Sequence, residues 1–261
     1  MKSTNLIQAY LFRIVIYCIL LAGFYIALYY ITDQGPNCTS DWNRLIDRFW
    51  TTTRLVFVSF ILLLLLSILL AAGQSFCDYW RKINRIDTIY VFIVGIGIKF
   101  FLFLLVLLGI IPIFLTAKGF NILLPNVGAY LSLIFANAMI LQIYPHIYNE
   151  LSSELQSAHI YGAMSGGIPP VKTFVKRICI SSLDISKSLY INLLGFSIFV
   201  EYQFKEAGSS FQGLAYDFIS ALYDHENDWC MAFQAFCGII IMILIVDTIW
   251  TFAKIIVTRK S

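Results

Sequence analysis

Charge is the scarcest thing in this chain. Asp, Glu, Lys and Arg together make up 13% of the 261 residues, about half the share of a soluble domain. So few charges cannot cover the surface of a water-soluble protein of this size, which excludes a soluble enzyme. Low charge with high hydropathy also excludes intrinsic disorder. Histidine is rare, with three residues, and the six cysteines form no CxxC pair. A histidine–cysteine metal centre is therefore not expected. There is no phosphate-binding G-x-x-x-x-G-K-[ST], no HExxH and no Ser–His–Asp pattern, so no ATP site of that type and no hydrolase machinery are expected. Net charge is only +3, which gives no case for nucleic acid.

What the chain has is long apolar runs. Apolar residues reach 59% and mean hydropathy is +0.80. The runs are continuous rather than alternating, which indicates membrane helices and not a barrel. The expected class is all-α: one polytopic domain over residues 1–261 with six transmembrane helices. The expected spans are 14–31, 53–73, 89–116, 122–144, 178–200 and 231–252. No small-residue cleavage site follows the first run, so it reads as a span and not a signal peptide.

Orientation follows from basic residues in the short flanking segments. One side collects 12 of the 18, including Arg13, Arg81, Lys82, Lys176, Arg177 and Lys254. That side is expected to be cytoplasmic, with both termini on it. The outer loops are acidic, with Asp33, Asp41, Asp217, Asp224 and Asp228 among them.

Two hydrophilic segments exceed a simple turn. The inner one, 145–177, is expected to hold a helix over 148–165. Gly166 and Gly167 can end that helix. Pro170 suits the first turn of the next. The outer one, 201–229, is expected to be a loop. Lys99 and Asp247 are charges in apolar surroundings, costly unless functional or paired. A Lys99–Asp247 pair is one expectation, and Asp184 neutralising Lys187 at i, i+3 another. Cys38 and Cys230 both fall outside and are candidates for a disulfide.

From these residues a family resemblance emerges. Residues 157–177 read SAHIYGAMSGGIPPVKTFVKR, and 194–208 read LGFSIFVEYQFKEAG. The chain resembles the permease subunits of dipeptide, oligopeptide and nickel ABC importers over about residues 50–250. Ala163, Ser165 and Gly167 fall on the family's Ala-x-Ala-x-Gly coupling motif, and Lys176–Arg177 on its basic pair. Leu194, Gly195, Glu201, Phe204 and Gly208 match the segment after the fifth span, and Asp247 an Asp in the sixth. The outer loop after the first span is short for the family. Asp184 stands where it has Pro, Lys99 where it tends to have Pro, and Ala207 where it has Pro.

The resemblance implies an ABC-permease-like fold in a bacterial inner (plasma) membrane. It implies half of a translocation path for peptides or another small solute. A second homologous permease, two cytoplasmic ABC ATPases and an extracytoplasmic substrate-binding protein would be its partners. ATP and Mg would sit on the ATPases and no cofactor on this chain, which is itself non-catalytic. Ala163, Ser165, Gly167, Lys176 and Arg177 would couple it to an ATPase. Lys99, Asp247 and Glu201 would be intramembrane polar or gating residues. The alternative is a degenerate permease that serves as a non-transporting scaffold.

Overall fold

The computed structural model describes residues 3–32, 42–84, 88–120, 124–155, 170–205, 212–223 and 229–259. Among them there is helix and turn but no strand. The helices are α1 (Ser3–Thr32), α2 (Trp42–Asn84), α3 (Thr88–Ala117), α4 (Pro125–Leu131), α5 (Ile140–Leu155), α6 (Pro170–Gln203), α7 (Leu214–Tyr223) and α8 (Trp229–Arg259). A π-helical turn (Ser132–Ala136) continues α4.

Apolar stretches long enough to cross a bilayer run over Ile7–Tyr30, Asn43–Asp78, Val94–Ala117 and Trp229–Ile256. A fifth is a bent pair, Pro125–Ala136 followed by Ile140–Ser153 at 54°. The described helices thus give four spans, or five with the bent pair. α6 carries Asp184, Lys187, Asn192 and Glu201 and is not among these stretches over its described residues.

The bend corrects the expectation of a straight fourth span over 122–144. After the π turn, Asn137 Nδ2 donates to the Leu133 carbonyl at 2.9 Å, and Asn137 Oδ1 accepts from the Met139 N–H at 3.0 Å. Ala138 takes φ 56°, a left-handed conformation that alanine pays for. One amide therefore satisfies backbone groups that the break exposes. Gly109 on α3 fits here because a Cβ would lie 2.5 Å from Ala136 N and 2.7 Å from Phe135 Cβ. Pro145 does not end the helix, as expected from sequence, but lies inside α5. Its missing N–H leaves the Leu141 carbonyl without an i→i−4 donor.

α2 and α6 form the centre. α2 packs on α5 and α6, and α6 also meets α5, α7 and α8. The core runs through Leu55, Leu63, Leu133, Ile143, Leu189, Leu193, Phe204 and Met242. α1 packs chiefly on α8, through Phe24 against Phe236 at 4.3 Å, and leaves most of its apolar surface exposed. Residues 214–223, expected as loop, form α7. Its apolar stripe Leu214, Phe218, Ala221 recurs at helical spacing and seats against α6 and α8.

Two polar junctions at opposite ends of the bundle

The helix packing sets the direction of each element. Lys187 of α6 meets Asp247 of α8, and Arg13 of α1 meets the same carboxylate. The beginnings of α1 and α6 and the close of α8 therefore share one end. The C-terminal part of α2 joins them, because Thr52 near its start meets Leu214 of α7 while Phe60, farther along, meets Tyr190 and Trp250. Tyr148 of α5 donates to Asp78 Oδ2 at 2.5 Å, which brings the close of α5 to the same end. The chain thus leaves α5 at Leu155 and enters α6 at Pro170 at this same end. The start of α2, the end of α6, α7 and the start of α8 make the other.

At the first end, Asp247 is 1% exposed. Its Oδ1 accepts from Lys187 Nζ, and its Oδ2 lies 3.0 Å from Arg13 Nε. One turn along, Trp250 Nε1 donates to Ser186 Oγ, and Tyr10 and Thr248 share a 2.7 Å hydrogen bond. The three helices are tied at one carboxylate. Two cations on one anion leave the junction with a net positive charge, within the apolar stretches of α1 and α8.

At the other end, Glu201 is fully buried. Its Oε2 accepts from the Tyr216 N–H at 3.0 Å. Thr52 Oγ1 accepts from the Leu214 N–H at 2.9 Å, and its hydroxyl bonds Glu201. These two side chains hold the N-terminal amides that α7 cannot bond internally. Gly213 makes the approach possible, because a Cβ there would overlap Thr52 Oγ1 and lie 2.7 Å from Glu201 Oε2. Glu201 lies just past the outer limit of the expected span. Its Oε1 has no hydrogen-bond partner. Beside it, Arg44 Nη2 and Arg48 Nε lie 3.5 and 3.6 Å from Asp217 Oδ1. Arg48 also donates to the Gln212 carbonyl.

The candidate residues therefore do not meet in one place. Asp247 and Glu201 anchor opposite ends. Lys99 joins neither, since Arg13 and Lys187 already occupy the Asp247 carboxylate. This corrects the Lys99–Asp247 pairing: the lysine on Asp247 is Lys187. The expected pairing of Lys187 with Asp184 involves a side chain outside the described residues. Ala163, Ser165, Gly167 and Cys38 also lie outside them. Lys176 and Arg177 lie on α6 near its start, with side chains outside the described set. Thr52 and Gly213 hold a junction and were not singled out in the sequence, and Arg13, Lys187 and Asp217 have partners there that the sequence did not suggest. Arg13 was legible, because apolar residues begin at Ile7 and place it inside the first span.

Cys230 is disulfide-bonded, while Cys18, Cys77 and Cys237 are free thiols. No group of three or more His, Cys, Asp or Glu able to hold a metal occurs among the described residues. Comparison with family models, with curated proteins and with solved structures finds no match.

Proposed function

We propose that the chain is the permease subunit of an ATP-driven transporter, crossing the membrane six times with α6 as the fifth span. One observation carries the reading. α5 closes and α6 opens at the end where α1 begins and α8 closes. That end also collects Arg13, Arg81, Lys82, Lys187 and Lys254 by their places on the helices. A basic end is the cytoplasmic end, so the segment with Ala163, Ser165 and Gly167 would face a cytoplasmic ATPase. The buried states of Leu194, Glu201, Phe204 and Asp247, all 2% exposed or less, support the resemblance that these residues carry.

In this reading the ATPase moves the segment, and α6 conveys the motion. α6 is suited to that, being gripped at Lys187 by α8 and at Glu201 by α7. A rod held at its middle and at its far end conveys displacement between those two points. The solute would be a peptide or another small molecule, and a second permease would complete the path. Purification of the tagged chain in mild detergent is expected to recover a second permease and an ATPase with measurable hydrolysis. Recovery with membrane partners that hydrolyse no ATP would favour the scaffold reading instead.

We infer that Cys230 is bonded to Cys38. The only other cysteine outside the free set is Cys179. Lys187 faces Asp247, which is 17 residues and about 25 Å along α8 from Cys230, and Cys179 lies farther still. Bridged Cα atoms stand no more than about 7 Å apart. Peptide mapping of the unreduced, alkylated protein is expected to give a Cys38–Cys230 cross-linked peptide. Free thiol at Cys38 would refute the assignment.

A further inference from the structure

Between α2, α3 and α5 lies a cavity of about 470 Å³ that neither junction uses. Gln74, Lys99, Tyr144, Tyr148 and Asn149 give it a polar wall, and Leu102 part of an apolar one. Two of its polar groups lack partners. Among the described residues Lys99 meets no carboxylate and no acceptor. Gln74 Oε1 is buried without a hydrogen bond. Lys99 is five residues past the start of the apolar stretch of α3, or about 7 Å along the helix. Its ammonium can therefore reach the level where headgroups meet acyl chains.

We propose that this cavity binds an amphiphilic anion: a phosphate or carboxylate head on an alkyl chain. The head would pair with Lys99, and a hydroxyl on it would donate to Gln74 Oε1. The chain would follow the apolar wall toward the surrounding lipid. A basic pocket between membrane helices is the usual form of an anionic-lipid site, and the volume falls in the range of small-ligand pockets. The source of the head is an anionic phospholipid of the bilayer or a free amphiphile. The site stands independently of the permease reading.

Two substitutions test it from different directions. Lys99→Gln removes the charge. Gly95→Leu fills the cavity from α3, where a Cβ meets nothing within 4 Å, so the helix itself is not disturbed. The full chain is placed in nanodiscs of equal phosphatidylglycerol and phosphatidylcholine, extracted, and its retained lipids counted by native mass spectrometry. The natural chain is expected to retain phosphatidylglycerol selectively. Both variants are expected to lose roughly fivefold of that selectivity, the factor typical of one basic residue at a membrane surface. Lys254→Gln, at the same end of the bundle but away from the cavity, is expected to retain it. Discs of phosphatidylcholine with added dodecyl phosphate separate the sources. Lys99-dependent retention of dodecyl phosphate without any preference for phosphatidylglycerol supports the same site with a free amphiphile as occupant. Equal retention in the natural chain and both variants, or equal loss in Lys254→Gln, overturns the proposal.

Discussion

Asp247→Ala is expected to be the most destabilising single substitution in the bundle. The carboxylate is 1% exposed and holds Lys187 and Arg13 together. Removing it leaves Lys187 and Arg13 without their shared carboxylate, the one that meets them among the described residues. Breaking a buried ion pair by deleting one partner costs about 3–5 kcal/mol, and hydrocarbon outside the bundle gives the stranded charges no alternative. The loss corresponds to a fall of roughly 10 °C in melting temperature. The cost is asymmetric. Lys187→Met leaves Asp247 with Arg13, so it is expected to cost much less. Lys187→Met added to Asp247→Ala should recover part of the loss, because one stranded cation disappears with it. Thermal unfolding of the four proteins in one detergent gives the cycle. Equal melting of Asp247→Ala and the natural chain would show that the junction holds nothing.

Gly213→Val is expected to break the opposite junction. A Cβ at 213 overlaps the Thr52 hydroxyl and crowds both oxygens of Glu201. Neither neighbour can yield, since Thr52 and Glu201 are each wholly buried on a long helix. Overpacking costs about 1–3 kcal/mol. Separating Thr52 from the Leu214 N–H strands a buried donor for roughly another 1–3 kcal/mol. α7 should then detach from the ends of α2 and α6, and protease should cut between 203 and 214 faster than in the natural chain. Gly195→Ala is the matched control on α6. A Cβ there meets nothing within 4 Å, and replacing a mid-helix glycine stabilises by up to about 1 kcal/mol. Similar digestion of Gly213→Val and the natural chain would contradict the role given to Glu201 and Thr52.

Much of the helical layout can be read from sequence because bilayer thickness fixes a length. The runs ending near Ile31, Gly73, Thr116 and Phe252 needed only that length and the scarcity of charge. Pro170 as a helix start was also legible, since a proline there gives up an N–H that would be unbonded anyway. Other features depend on contacts that no local pattern encodes. The break after Ala136 rests on one Asn137 side chain and on Gly109 of another helix. Pro145 looked like a boundary, yet α5 runs through it because packing on α2 outweighs one lost hydrogen bond. α7 showed its stripe in Leu214, Phe218 and Ala221, but its polar neighbours made it look like loop.

The polar site was legible in residue type and not in pairing. Asp247 had two lysines in apolar surroundings from which to draw a partner. The choice of Lys187 over Lys99 is made by the register of α6 on α8, which Trp250 fixes by donating to Ser186. Glu201 stood out as a carboxylate at a helix end. Its partners come from α2 and from the residues that open α7, far away in sequence, so nothing near it announced Thr52 or Gly213.

The most direct test of the permease reading is ATP hydrolysis by the purified complex carrying Gly167→Val. In the permease reading, a side chain at 167 would stiffen the glycine turn that the sequence suggests there, where force from an ATPase would enter. Stimulated hydrolysis and transport should both be lost while the chain stays folded in the membrane. A complex that hydrolyses ATP and transports as the natural one does, with Gly167→Val in place, would contradict the account.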